Sequence, residues 1–123
     1  MISGKINAQL EAVITVFVLD SAGDCQPIEA VIDTGFTGSL TLPRKYIDDL
    51  ALRLIGKRLA SLADGSQVTL NSYEAYVNWH DELKDVAIIE AESGPLIGMK
   101  PLEGSLVTLH VKEDGQVEIE QRP

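Results

Sequence analysis

Ala30-Val31-Ile32-Asp33-Thr34-Gly35 is the stretch from which this chain is read. An apolar run leads directly into a single acid, and Phe36-Thr37-Gly38-Ser39-Leu40 follows with a second glycine. An Asp at a strand end, on a turn that glycine permits, can project into a cleft. Backbone N–H groups and the Thr34 hydroxyl can support it there. The plainer use of such an acid is to cap its own turn. A second segment, Pro95-Leu96-Ile97-Gly98-Met99, matches the first in kind. A glycine that closes an apolar strand marks a place where another backbone passes close.

Outward from these two segments the pattern is mostly strand. Glu11–Leu19 is a nearly continuous apolar, β-branched run, which predicts a strand covered on both faces. Ser21–Asp24 turns the chain, Pro27–Ile32 resumes as strand, and Gly38–Leu42 is a short strand. Pro43 suits the first position of a helix, with Tyr46, Ile47, Leu50 and Leu54 at helical spacing until Gly56. The period returns to two from Arg58, and Asp64-Gly65 between two apolar runs predicts a hairpin. Tyr73, Ala75, Val77 and Trp79 share one face of the next strand, so Trp79 reads as core and His80, on the polar face, as solvated. Asp81–Glu82 turns into Val86–Ile89, and Leu106–Val111 pairs with Val117–Glu120 around Asp114–Gly115. Short strands at close spacing with one small helix predict an all-β barrel or sandwich.

Length and charge set the outer limits. A chain of 123 residues forms one domain, 1–123. Leu, Ile, Val and Phe stand well above the roughly 20% below which chains stay disordered. Ten basic against nineteen acidic residues give a net charge of −9, the wrong sign for binding nucleic acid or anionic lipid. No apolar run approaches the roughly 18 residues that a membrane span needs. The start, MISGKINAQLEA, reads as lacking a secretory signal. Cys25 is the only cysteine and has no basic neighbour, which predicts an inert thiol in a reducing, cytoplasmic setting. His80 and His110 stand alone without ligand spacing, so no metal is expected. His110 shares a face with Leu106 and Thr108 and reads as structural. Asp48-Asp49, Glu118 and Glu120 read as solvated faces.

Val31-Ile32-Asp33-Thr34-Gly35 with Leu40, and Leu96-Ile97-Gly98-Met99 with Leu102, together resemble the retropepsin-like aspartic proteases. The order of strand, Asp-Thr-Gly loop, hairpin, strands and apolar-apolar-Gly runs through most of the chain. It is closer to the cellular and prokaryotic single-domain members with one Asp-Thr-Gly motif than to the viral ones. The resemblance implies an all-β domain, a retropepsin-like closed β-barrel with one short helix, acting as a twofold homodimer. It implies an aspartic endopeptidase in which a water is activated by two Asp33 carboxylates, one per subunit. Its catalytic residues would be Asp33, Thr34 and Gly35, with Thr34 hydrogen-bonded across the dimer axis and Gly35 letting the loop turn close. Ala63, Asp64, Gly65 and Ser66 would form a flap over an extended peptide or protein substrate. Leu96, Ile97 and Gly98 would brace the active loop. No cofactor and no metal are implied. The partners would be a second copy and the substrate, with no nucleic acid and no membrane.

The need for two chains has a physical basis. One carboxylate cannot both take a proton from water and give one to a carbonyl. Two held about 3 Å apart can, because repulsion keeps one protonated while the other is ionised. The sequence holds a single Asp-Thr-Gly, so a two-lobed single-chain enzyme is excluded. Three features depart from the family pattern: Phe36, where many members carry a small residue; Asp64, an acid at the flap tip; and Met99-Lys100-Pro101, which lacks the Arg with an acidic or Asn partner of viral members. The first two motivate a second reading, a catalytically inactive retropepsin-fold module for peptide binding or dimerisation.

Overall fold

The computed structural model describes all 123 residues. Its elements are β1 (Ile2–Ile6), β2 (Ala12–Leu19), β3 (Cys25–Ile32), β4 (Leu40–Leu42), α1 (Arg44–Leu50) and β5 (Arg53–Ser61). There follow β6 (Gln67–Trp79), β7 (Glu82–Glu90), β8 (Leu96–Ile97), α2 (Met99–Leu102), β9 (Ser105–Leu109) and β10 (Gln116–Gln121). The strands form one sheet in the order β5-β6-β7-β4-β8-β3-β2-β1-β10-β9. The sheet also folds back on itself. β2 meets β6 through Phe17↔Asn78 and Val18↔Val77, although the two are not neighbours in the main order.

Side-chain alternation decides what fills the interior. Tyr73, Ala75, Val77 and Trp79 are all buried, as their period of two predicts. The same core holds Ile14, Val16, Val18, Ile88, Ile97 and Ile119, each at most 2% exposed. Burying side chains of this size stabilises the fold by about 1.5–3 kcal/mol apiece.

The β2 expectation is half right. Ala12, Ile14, Val16 and Val18 face the core, but the other face is open, with Phe17 44% exposed. The sheet that folds back on itself covers only the inner face of this strand.

The helix is shorter than its spacing suggests. Ala51 takes a left-handed conformation (φ 53°) and ends α1 by donating its N–H to the carbonyls of Asp48 and Ile47. Leu54 therefore lies in β5, opposite Tyr73, and its helical spacing is a coincidence of sequence. Pro43 precedes the first helical residue, and its carbonyl receives the N–H groups of Tyr46 and Ile47. Asp48 and Asp49 are exposed, as expected. There are two helices rather than one. The second, α2, is a single turn that tolerates Pro101 because first-turn N–H groups need no helical partner. No helix is long and apolar enough to cross a membrane.

Candidate active site

β8 lies between β3 and β4, and this arrangement builds the site. It runs parallel to β3 through Val31↔Leu96 and Ile32↔Ile97, and antiparallel to β4 through Leu40↔Ile97 and Thr41↔Leu96. The ladder extends one step past the strand end, where the Asp33 N–H donates to the Ile97 carbonyl at 2.8 Å. The two segments singled out in the sequence are thus hydrogen-bonded neighbours.

The acid is supported within its own turn. The Gly35 N–H donates to Asp33 Oδ1 at 2.9 Å, and the Phe36 N–H donates to the Asp33 carbonyl at 3.2 Å. The Asp33 carboxylate therefore caps its own turn. A Cβ on Gly35 would stand 3.3 Å from Asp33 Oδ1, so glycine keeps the carboxylate uncrowded. Asp33 is half-buried, while Thr34 and Gly35 are exposed on the surface of the single chain.

Gly98 answers the expectation of a close approach. Its N–H donates to the Ser39 carbonyl at 3.0 Å, and the next two N–H groups, of Met99 and Lys100, reach the carbonyls of Phe36 and Gly38. Those bonds draw Gly38 and Ser39 out of the strand that the sequence suggests, so β4 begins at Leu40. A Cβ on Gly98 would collide with the Gly38 carbonyl oxygen and stand 2.6 Å from Phe36 Cδ2. A Cβ on Gly38 would meet the same ring at 2.6 Å from Cε1. Phe36 is accommodated because two glycines, sixty residues apart in sequence, leave room for it.

Thr41 is a positioning residue that the sequence reading missed. It is 6% exposed. Its hydroxyl donates to the Gly94 carbonyl at 3.1 Å and accepts the Leu96 N–H at 3.1 Å. That one oxygen fixes the entry of β8 beside β4. Nothing in the local pattern of Leu40-Thr41-Leu42 announces it.

The hairpin at Ala63-Asp64-Gly65-Ser66 forms at the end of β5 and β6, with Leu62 N–H on the Ser66 carbonyl at 2.8 Å. No hydrogen bond joins it to the Asp33 loop or to Leu96–Gly98. Asp64 Oδ1 accepts the Ser66 hydroxyl at 2.6 Å and the Ser66 N–H at 2.9 Å. These bonds lower the Asp64 pKa below the ordinary carboxylate value, the Ser66 hydroxyl contributing most. Asp64 is a turn-forming acid bound to its own hairpin.

His80 is not the solvated residue its strand position suggests. It and Asp81 take positive φ (51° and 63°) in the turn after β6. The ring packs edge-on against Trp79 and its Nε2 lies 3.1 Å from Ser105 Oγ. Burial lowers its pKa, with the N-terminal amine and Lys84 adding to the effect and Asp81 and Glu82 opposing it. Cys25 is exposed at the start of β3, and no three His, Cys, Asp or Glu side chains gather as a metal site.

No protein-family model matches the sequence, and no curated protein matches it. Among solved structures, the fold is similar to a retropepsin-like aspartic protease from Rickettsia conorii, at 17% identity and a TM-score of 0.64. That match covers 98% of this chain and 89% of the other. It is also similar to the Simian Foamy Virus (mac) protease, at 13% identity and a TM-score of 0.52, covering 73% of this chain and 90% of that one. The chain has a retropepsin-like, all-β fold.

Proposed function

We propose that this chain is one subunit of a homodimeric aspartic endopeptidase, a single domain over residues 1–123 whose sheet closes as a barrel where β2 meets β6. One observation carries the reading above the rest. The Asp33 loop is locked to Leu96-Ile97-Gly98 by backbone hydrogen bonds, with the Gly35 N–H on its carboxylate, in a fold similar to two proteases.

Two Asp33 carboxylates meeting across a twofold axis share one proton and titrate as a pair. The ionised member takes a proton from a water as the water oxygen bonds to the scissile carbonyl carbon. The protonated member gives its proton to the carbonyl oxygen, leaving a tetrahedral diol. Its collapse breaks the C–N bond: the nitrogen takes the proton just gained by the first acid, and the diol returns one to the second. The pair ends with one shared proton, as it began. Thr34, exposed beside Asp33, bonds in this reading to its counterpart and holds the two loops in register. The substrate lies extended in the cleft as an added strand. Ala63-Asp64-Gly65-Ser66 closes over it and excludes bulk water. The single cysteine supports work in the cytoplasm on peptides or proteins, without a cofactor.

Phe36 and Asp64, the two departures that favoured an inactive module, are each accommodated by local packing and bonding. Asp33→Asn tests the assignment. Asn can still accept the Gly35 N–H, so the variant is expected to keep its circular dichroism and its dimer while losing peptide cleavage. Cleavage that survives in Asp33→Asn defeats the proposal.

A further inference from the structure

We infer that the outer face of the β2–β6 seam is a docking surface for a segment of another protein in which lysines or arginines flank apolar side chains. The surface uses none of the residues assigned to peptide cleavage and stands independently of that reading.

Residues directly opposite one another on paired strands share a face of the sheet. Pro27↔Phe17, Phe17↔Asn78 and Asn78↔Leu83 therefore form one row across β3, β2, β6 and β7. At strand spacings of about 4.8 Å the row is about 14 Å long. Val16 and Val18, the chain neighbours of Phe17, are buried, so the row lies on the outside. Leu19 and Tyr76, each two residues away along its own strand, extend the same face. Phe17, Tyr76 and Leu83 are 44%, 47% and 61% exposed, and Pro27 is exposed with them. Single apolar residues are ordinary on a surface, whereas a contiguous patch marks an interaction site.

The seam is short, and this gives the patch its relief. Only Phe17↔Asn78 and Val18↔Val77 join β2 to β6. At one end of the seam a hollow of about 300 Å³ opens among Thr15, Phe17, Asn78, His80 and Asp81. At the other end a hollow of about 290 Å³ opens among Leu19, Asp20, Glu74 and Tyr76. Thr15 and Leu19 are four residues apart, about 13 Å along β2. A segment crossing Phe17 and Tyr76 can thus place one side chain in each hollow.

Charge selects the occupant. Glu29, opposite Thr15, and Asp85, opposite Tyr76, stand on the same outer face, and Asp81 and Glu82 turn the chain beside it. None of these four carboxylates has an ion-pair partner. Arg53 reaches the rim but is bound to Glu74 at 2.7 Å. Lys84 lies opposite Val77, a core residue, and so takes the inner face. Lys5, opposite Val13, is about 13 Å from Phe17 along β2. Unpaired carboxylates around an apolar centre match cations around an apolar centre. A second copy would set these acids against themselves, in chains of net charge −9 each, and like charges facing one another reject a partner. Anionic lipid and nucleic acid carry the same wrong sign.

The probe is a labelled synthetic peptide with a Leu-Phe-Leu core between paired lysines, followed by fluorescence anisotropy. Wild type should bind it at micromolar concentration, more weakly as salt rises from about 0.05 to 0.5 M. Asp33→Asn should bind it equally, which separates docking from cleavage. Phe17→Ser with Tyr76→Ser should weaken binding about tenfold or more with unchanged circular dichroism, since both side chains are exposed. Glu29→Lys with Asp85→Lys tests the rim without touching the aromatic pair and should weaken binding by a similar factor at low salt. The same peptide with glutamates in place of lysines should not bind. No binding of the lysine peptide to wild type, equal binding of the glutamate peptide, or binding that survives both double variants overturns the surface. So does self-association of the wild type that Phe17→Ser with Tyr76→Ser abolishes, because the face would then belong to a second copy.

Discussion

Gly98→Ala concentrates the structural claim into one methyl group. The new Cβ collides with the Gly38 carbonyl oxygen and stands 2.8 Å from the Phe36 carbonyl and 2.6 Å from the Phe36 ring. Two of these three neighbours are backbone atoms whose partners, Lys100 N–H and Met99 N–H, hold them in place. Insertion into packed space costs about 1–3 kcal/mol, and contacts with fixed backbone belong at the upper end. At about 3 kcal/mol, in a domain of this size, the melting temperature falls by roughly 10–15 °C. Gly94→Ala is the control. Its backbone φ is 103° and nothing stands within 4 Å of the added carbon, so only the left-handed penalty of about 1–2 kcal/mol applies. Thermal unfolding followed by circular dichroism compares the two directly. Gly98→Ala within 0.5 kcal/mol of wild type, or less harmful than Gly94→Ala, would refute the reasoning.

Two further perturbations address supports around the site. Thr41→Val keeps the shape but leaves the Leu96 N–H and the Gly94 carbonyl without their shared hydroxyl, costing about 1–3 kcal/mol in urea unfolding. Cleavage should fall in step if β8 positions Asp33; an unchanged midpoint would show the hydroxyl to be dispensable. His80 has a folded pKa below its ordinary value of about 6.5, so the unfolded chain takes up the proton first as pH falls. Stability from the neutral ring is intact above that value and is lost as pH drops through it. The melting temperature should therefore fall more between pH 7 and 5 in wild type than in His80→Gln; equal falls would contradict this.

Much of the fold was legible because strand alternation and turn chemistry are local. Tyr73–Trp79 and Asp64-Gly65 depend only on neighbouring residues, and both formed as their pattern predicts. The Asp33 and Gly98 segments were legible as a pair because each combines an apolar strand with a glycine turn. What could not be read is what the tertiary structure alone brings together. Phe36 needs Gly38 and Gly98 at once, and they meet only because β8 inserts between β3 and β4. Thr41 is distinguished by partners more than fifty residues away. The end of α1 carried no glycine to mark it, since Ala51 takes the left-handed position itself. The open face of β2 looked like core because apolar residues line both sides of that strand.

A crystal of the dimer would give the separation between the two Asp33 carboxylates, and no other quantity bears so directly on a catalytic centre divided between two chains. Oxygens about 3 Å apart, sharing a proton or a single water, are the predicted result. Carboxylates that face away from each other in the assembled dimer would contradict it.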